Sequence, residues 1–328
     1  EVGRGLLEGS HLKFHGSLVW NGGKVRAIND FSYNVNPLGT PDFVEFLIRE
    51  AVETGVHRFY PPNDYAYLEE RLKDYLGIRN AMVTVANGVS EIISRLPPCH
   101  VPEPNYSEYP RKASYDADFD GKTWRYRLQG ECAVTSNPVN PTGTCIERKE
   151  VLDYLSSGRL LVLDESFVEL SSCESFVDLV EEFENLVVLR SFTKSLALPG
   201  LRFGYAVHSR EWPFLEGLPP WRVNSIAYYV FANLDYQKVG SFLETSRKVV
   251  EELRRKMLSL FPSYHSYAPY IIVRLRVDSE DVNRRLIQLG YYVRDHRGFR
   301  NFSSTWARVA VRQGFEKLYK VLASEGFL

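Results

Sequence analysis

The chain has 328 residues, 44% of them apolar, which suits one large or two unequal domains around a substantial core. With 40 basic and 41 acidic side chains the formal net charge is −1, so no polybasic surface marks nucleic acid or an anionic membrane as a partner. No apolar run approaches the roughly 18 residues of a membrane-spanning helix, which points to a soluble protein.

Residues 1–20 hold Glu1, Arg4, Glu8 and Lys13 and no apolar segment of the kind a secretory leader needs, so the cytoplasm is the expected compartment. Residues 1–40 read as an arm, expected to join the C-terminal domain. Thr40 and Pro41 offer an N-cap and N1 pair for a helix to about Thr54, and Asn63 is placed to cap a helix that Gly77 ends. A strand is expected over Ala81 to Val85. From Gly88 to Tyr106 the pattern is short and interrupted by Pro97, Pro98, Pro102 and Pro104. Further buried strands follow at Cys132 to Thr135, Leu160 to Leu163, Leu186 to Leu189 and Tyr205 to Val207, with a crossover helix from Glu147 to Ser157. The alternation predicts an α/β fold over residues 41–220: a large domain whose mainly parallel sheet is flanked by helices.

After the Pro-rich stretch Gly217 to Pro220 the texture changes. A long helix from about Ser241 to Leu260, a strand from Tyr270 to Val277, a helix from Glu280 to Leu289, short strands near Tyr291 and Trp306 and a last helix from Gln313 to Ala323 predict a smaller α+β domain over residues 221–328. Cys99, Cys132, Cys145 and Cys173 form no C-x-x-C motif, and no His pair flanks them at ligand spacing, so no metal site is expected. Four scattered thiols suit buried structural cysteines in a reducing compartment.

Ligands of open α/β sheets sit outside the carboxyl ends of the strands, and the residues there are polar. Asn87-Gly88-Val89-Ser90 follows the first strand, Ser136 to Gly143 the second, Asp164-Glu165-Ser166-Phe167 the third and Arg190 to Ser195 the fourth. Lys194 and Asp164, 30 positions apart, are separated by about one βα unit and can face one crevice. One cofactor needs both: pyridoxal phosphate, whose aldehyde condenses with a lysine and whose ring nitrogen is kept protonated by a carboxylate. Its phosphate needs a small-residue loop at a helix start, which Gly88 to Ser90 offers, and a cation such as Arg202.

Ser136-Asn137-Pro138-Val139-Asn140-Pro141-Thr142-Gly143, Asp164 to Phe167, and Ser191 to Lys194 continuing through Arg202-Phe203-Gly204-Tyr205 resemble the successive signature blocks of the aspartate-aminotransferase-like superfamily, pyridoxal-phosphate enzymes of fold type I. The resemblance runs in order from about Asn29 to the C-terminus. It implies that Lys194 holds the cofactor covalently and shuttles a proton, that Asp164 pairs with the pyridine nitrogen and that Asn140 bonds the ring hydroxyl. Gly88, Val89, Ser191 and Arg202 then take the cofactor phosphate, with Thr193 structural. Tyr106 matches the ring that stacks on the cofactor. Tyr60 matches the tyrosine that reaches a partner subunit's cofactor phosphate, implying a homodimer with a shared active site. Phe167 departs from the commoner tyrosine and cannot donate to the ring hydroxyl.

Arg294 and Arg308, 14 positions apart and each in or beside an expected strand, can clamp two anions. The groups that share this arrangement are the histidinol-phosphate aminotransferases and the threonine-phosphate decarboxylases of cobalamin synthesis, where the resemblance puts the substrate α-carboxylate on Arg308 and its phosphate on Arg294. The block Asp30 to Gly39, which contains Asn34, the His15-Gly16 element and Phe167 resemble the decarboxylases more. Asn34 and His15 are therefore expected at the substrate. The leading expectation is decarboxylation of L-threonine O-3-phosphate to (R)-1-amino-2-propanol O-2-phosphate. An aminotransferase acting on histidinol phosphate or an aromatic amino acid stands second, and a catalytically silent relative third. Of the bonds at the substrate α-carbon, the one held perpendicular to the cofactor ring breaks, so the angle at which Arg308 holds the carboxylate chooses the reaction.

Overall fold

The computed structural model describes residues 14–328. Three two-residue strands open this range, β1 (Trp20–Asn21), β2 (Lys24–Val25) and β3 (Asn29–Asp30). They are followed by β4 (Met82–Ala86), β5 (Cys99–Glu103), β6 (Arg111–Asp116), β7 (Asp118–Phe119), β8 (Trp124–Arg125), β9 (Cys132–Ser136), β10 (Leu160–Asp164), β11 (Leu186–Arg190) and β12 (Gly204–His208). A seven-stranded sheet of order β4-β12-β11-β10-β9-β5-β6 forms the centre. All its neighbours pair in parallel except around β12, which runs antiparallel to both β4 and β11. The middle strands are apolar on both faces because helices cover both; every residue of β11 is buried. Pro98 and Pro102 leave β5 with one register pair to β9, His100 to Ala133, since proline offers no ladder donor.

The expected elements appear with their ends shifted. The first helix is Asp42–Glu53, preceded by Pro41. Thr40 does not cap it; its hydroxyl donates to Ala197 O at 2.9 Å. The second is Ala66–Leu76, and Gly77 ends it in the left-handed conformation, φ 67°. Its first turn is served by Asp64, whose Oδ1 accepts from the amide of Ala66 at 3.1 Å, and not by Asn63. A helix at Ser225–Asn233 was not legible: it is apolar on every side, so no period shows, though Asn224 caps it through the amide of Ala227. The long helix begins at Tyr236, where Asp235 accepts from two amides, and runs to Leu260.

Beyond it, β13 (Tyr270–Arg274), β14 (Tyr291–Tyr292) and β15 (Trp306–Ala310) complete the strands. β13 pairs antiparallel with β15, and β14 pairs in parallel with β3. The N-terminal stretch is thereby stitched to the C-terminal part of the chain. Among the described residues no helix is long and apolar enough to cross a membrane.

The expectation of four free thiols is corrected. Cys99 is bonded to Cys132, joining β5 to β9, and Cys145 to Cys173, joining the loops that follow β9 and β10. Partners 33 and 28 positions apart in sequence are brought within 5.0 and 5.3 Å between Cα atoms by neighbouring strands, which no local motif announces. With no free cysteine left, the thiol argument for a reducing compartment loses its basis.

Candidate active site

The carboxyl ends of β4, β9, β10 and β11 open onto one cavity of about 500 Å³, whose lining includes Tyr106, Asn140, Asp164, Lys194, Arg294 and Arg308. Lys194 sits four residues beyond the end of β11. Its neighbours are held in place from outside the sheet: the amide of Asn36 donates to Lys194 O at 2.8 Å and Asn36 Nδ2 to Ser195 O at 2.9 Å. Burial pushes the Lys194 amine down to about 8, helped by the cations Arg308 and Arg202 and opposed by Asp164. A substantial fraction of neutral amine, the form that attacks an aldehyde, is present near neutral pH. Its Nζ lies 5.3 Å from the centre of the Phe167 ring, which supplies no hydrogen-bonding group there.

Asp164 is the last residue of β10 and is buried, which raises its pKa; hydrogen bonds from Ser166 and Tyr109 oppose the rise. Ser166 donates to Oδ1 through its amide at 3.0 Å and its hydroxyl at 2.5 Å, and Tyr109 donates to Oδ2 at 2.7 Å. These donors favour the ionised carboxylate, the form that would keep a pyridine nitrogen protonated. Sequence reading missed both residues. Ser166 carried a signal, two positions after the acid at a strand end, whereas Tyr109 is 55 positions away and carried none.

At the other end of the cavity Val89, Ser90, Thr193 and Arg202 reach the wall. Arg202 adopts the left-handed conformation, φ 55°, and its Nη2 donates to Ser90 Oγ at 2.9 Å. Strain at a residue aimed into a pocket is the kind that ligand sites retain. Ser191 stands behind this wall, its hydroxyl within 2.8 Å of Phe203 O and 2.5 Å of Thr193 Oγ1. The pocket surface is thus made by Thr193, expected to be structural, and Ser191 backs it. Gly88 has φ 77° and ψ 159°, a region reserved for glycine, and a Cβ there would lie 2.5 Å from Arg202 Nη2. Gly88→Ala is expected to weaken pyridoxal phosphate binding at least about tenfold, from about 1–3 kcal/mol of backbone strain plus displacement of Arg202. An apoprotein titration checks it, and unchanged affinity would remove Gly88 from the phosphate end.

Arg294 and Arg308 face each other across an antiparallel bridge and exchange both backbone hydrogen bonds, at 3.1 and 2.8 Å, so their side chains leave from the same face. Arg308 is buried. Its Nη1 donates to Asn140 Oδ1 at 2.5 Å and its Nη2 to Ser32 O at 2.7 Å, while Nε has no partner. Arg294 lies between the rings of Phe14 and Phe299, at 4.8 and 4.4 Å, and donates to the carbonyls of Asp295, Arg297 and Phe14. Burial lowers Arg294 to about 9, with Arg308 the next cause, and burial lowers Arg308 to about 10. Cations packed this way in a dry pocket favour anionic ligands.

Asn34 lines the same cavity, is 2% exposed, and its Oδ1 has no partner. His15 lines the mouth, where Nε2 meets Glu108 Oε1 at 2.7 Å and its ring lies 5.9 Å from that of Tyr106. Tyr60 is elsewhere: it is 77% exposed and packs at a tilt against Trp221, ring centres 4.6 Å apart, so it is not a core aromatic.

The arrangement fits pyridoxal phosphate. A depressed lysine stands beside a bonded carboxylate, a glycine approach lies beside a cation, and an amide oxygen and a guanidinium Nε are left orphaned in a net positive cavity. Comparison with known proteins agrees. The profile of the family "Aminotransferase class I and II" matches residues 27–324. The histidinol-phosphate aminotransferase of Thermoanaerobacter pseudethanolicus is 30% identical over 80% of this chain and 82% of its own length. The adenosylcobalamin biosynthesis bifunctional protein CobDQ of Leptospira interrogans is 28% identical over 88% of this chain, which spans only 37% of that longer protein. The crystal structure of L-threonine-O-3-phosphate decarboxylase from Porphyromonas gingivalis superposes with a TM-score of 0.75 over 91% of this chain and 98% of its own, at 22% identity.

Proposed function

The chain belongs to the aminotransferase class I and II family, whose cofactor is pyridoxal 5'-phosphate, and from that premise we propose that it decarboxylates L-threonine O-3-phosphate to (R)-1-amino-2-propanol O-2-phosphate. The observation that carries this reading is the bridged pair Arg294 and Arg308 in a cavity where Asp164 is the one carboxylate among the described lining residues. Threonine phosphate offers two anions on one short skeleton and satisfies both guanidiniums at once.

In this reading Arg308, oriented by Asn140 and Ser32, holds the α-carboxylate, and Arg294 takes the phosphate with donors left over from its three carbonyl contacts. His15 can join that phosphate on leaving Glu108, and Asn34 accepts a hydrogen bond from the substrate. Asp164 keeps the ring nitrogen protonated, Asn140 serves the ring hydroxyl, and Tyr106 covers the ring. Bound pyridoxal phosphate supplies the electron sink for the bond that breaks. Lys194 would hold the cofactor covalently and return a proton to the α-carbon. Gly88, Val89, Thr193 and Arg202 hold the cofactor phosphate, with Ser191, expected there from the sequence, supporting Thr193 from behind the wall. The exposed Tyr60 and Trp221 suit a homodimer in which Tyr60 completes the partner's site.

The 30% identity to a histidinol-phosphate aminotransferase favours the second reading, amino transfer from histidinol phosphate. Incubation with threonine phosphate and no keto acid separates the two. Carbon dioxide release with catalytic turnover supports decarboxylation, and turnover confined to histidinol phosphate with 2-oxoglutarate defeats it. Arg294→Ala is expected to raise KM for phosphorylated substrates by about tenfold to a hundredfold, the weight of a charge-assisted contact, and to leave unphosphorylated analogues within about threefold. Equal losses for both would remove the phosphate from Arg294.

A further inference from the structure

Arg111, the first residue of β6, does not line the cavity and has no part in the roles above, yet three of its five N–H donors converge on the loop that does, and the other two on Glu103 at the end of β5. Nη1 donates to the carbonyls of Ser107 and Tyr109 at 3.1 and 2.7 Å, and Nη2 to that of Tyr106 at 2.8 Å. Nη2 and Nε also grip the carboxylate of Glu103, at 2.8 and 3.3 Å. The pair is enclosed, with side-chain exposures of 8% for Arg111 and 1% for Glu103. Both ends are anchored to the sheet, because Arg111 pairs with Cys99 on β5 and Glu103 ends that strand. A loop with three carbonyls held by one planar fork cannot slide relative to β5 without breaking charge-assisted bonds.

What that loop carries is the top of the cofactor pocket. The Tyr106 ring packs edge-on against that of Tyr109 at 5.3 Å, and the Tyr109 hydroxyl ends on Asp164. We propose that Arg111 is a positioning residue of the cofactor pocket: by holding the carbonyls of Tyr106, Ser107 and Tyr109 against Glu103 it aims the Tyr106 ring and keeps the Tyr109 hydroxyl on Asp164. Lysine at this place keeps the charge but has three donors on one atom and cannot span the three carbonyls and Glu103 together.

The test uses the full chain as wild type, Arg111→Lys, Tyr109→Phe and the double variant. Pyridoxal phosphate affinity is measured by titrating apoprotein, visible circular dichroism reports how firmly the bound ring is oriented, and apoprotein melting reports stability. Arg111→Lys is expected to weaken affinity about tenfold and to reduce the visible dichroism per bound cofactor by about half or more, changes that a merely structural role would not produce. Tyr109→Phe is expected to weaken affinity several-fold, and the double variant to be no weaker than about twice the worse single, because both act on one route to Asp164. Wild-type affinity and dichroism in Arg111→Lys, whatever its melting temperature, would overturn the proposal, as would losses in the double variant that simply multiply. Should Arg111→Lys not fold, Glu103→Gln, which weakens the same grip, is judged by the same affinity and dichroism. The outcome does not depend on which reaction the enzyme performs; wild-type protein that took up no pyridoxal phosphate would instead sink the cofactor assignment itself.

Discussion

Lys194→Ala is expected to remove the visible absorption of the cofactor-loaded protein, on the order of 400 nm, and to lower kcat by about 10³-fold or more, because in the proposed function the one side chain supplies both the covalent hold and the proton transfer. The buried amine also sets a pH dependence. Its neutral form attacks the aldehyde, and burial with the nearby cations Arg308 and Arg202 brings its titration to about 8 from 10.5. The rate at which apoprotein captures pyridoxal phosphate should therefore climb with rising pH to a midpoint near about 8 and level off above it, whereas an ordinary lysine would keep climbing beyond pH 10. Arg308→Met removes one of the cations and should raise that midpoint. A capture rate that showed no inflection below pH 10 would refute the electrostatic account of Lys194, and undiminished turnover in Lys194→Ala would refute its role altogether.

The second large effect concerns stability. Cys99–Cys132 and Cys145–Cys173 close separate loops of the chain, and in the chain-entropy picture each bridge of this length stabilises by about 3.5 kcal/mol. Reduction of both should lower the melting temperature by about 10 °C. The two are not equivalent in function. Cys145–Cys173 ties the loop that follows Asn140 to the loop that follows Asp164, so Cys145→Ser should also weaken cofactor binding, while Cys132→Ser should act on stability alone. Thiol titration of the unfolded, unreduced protein should find none; four titratable thiols, or a melting temperature indifferent to reductant, would remove the bridges.

Much of this architecture could be read from the residues because the central strands are short apolar runs buried on both faces, and each ends where the polarity changes abruptly. That pattern located Asp164 and Lys194 before any contact was known, and Arg294 and Arg308 followed from strand patterns at their spacing. What escaped reading is what depends on pairing across distance. Tyr109 reaches Asp164 only because β5, β9 and β10 lie side by side, and the cysteines meet for the same reason. Ser191 and Thr193 are two positions apart on a turn, so which of them presents its hydroxyl to the cavity is decided by local backbone geometry that composition does not encode. The helix at Ser225–Asn233 escaped because apolar residues on all its sides erase the period by which helices are recognised.

The backbone bridge between Arg294 and Arg308 has a consequence for how this enzyme could change substrate. In the proposed roles, two anion holders mounted on mutually bonded backbone positions start from a spacing set by that pairing, and their side-chain torsions set the rest of the span. A lineage moving to a longer or shorter substrate would meet it through those torsions and the residues that hold them, since a register shift would turn every neighbouring side chain to the opposite face. On that reading the backbone pairing is the part of the site that resists change, and the packing around each guanidinium, Phe14 and Phe299 for Arg294, is the part open to it.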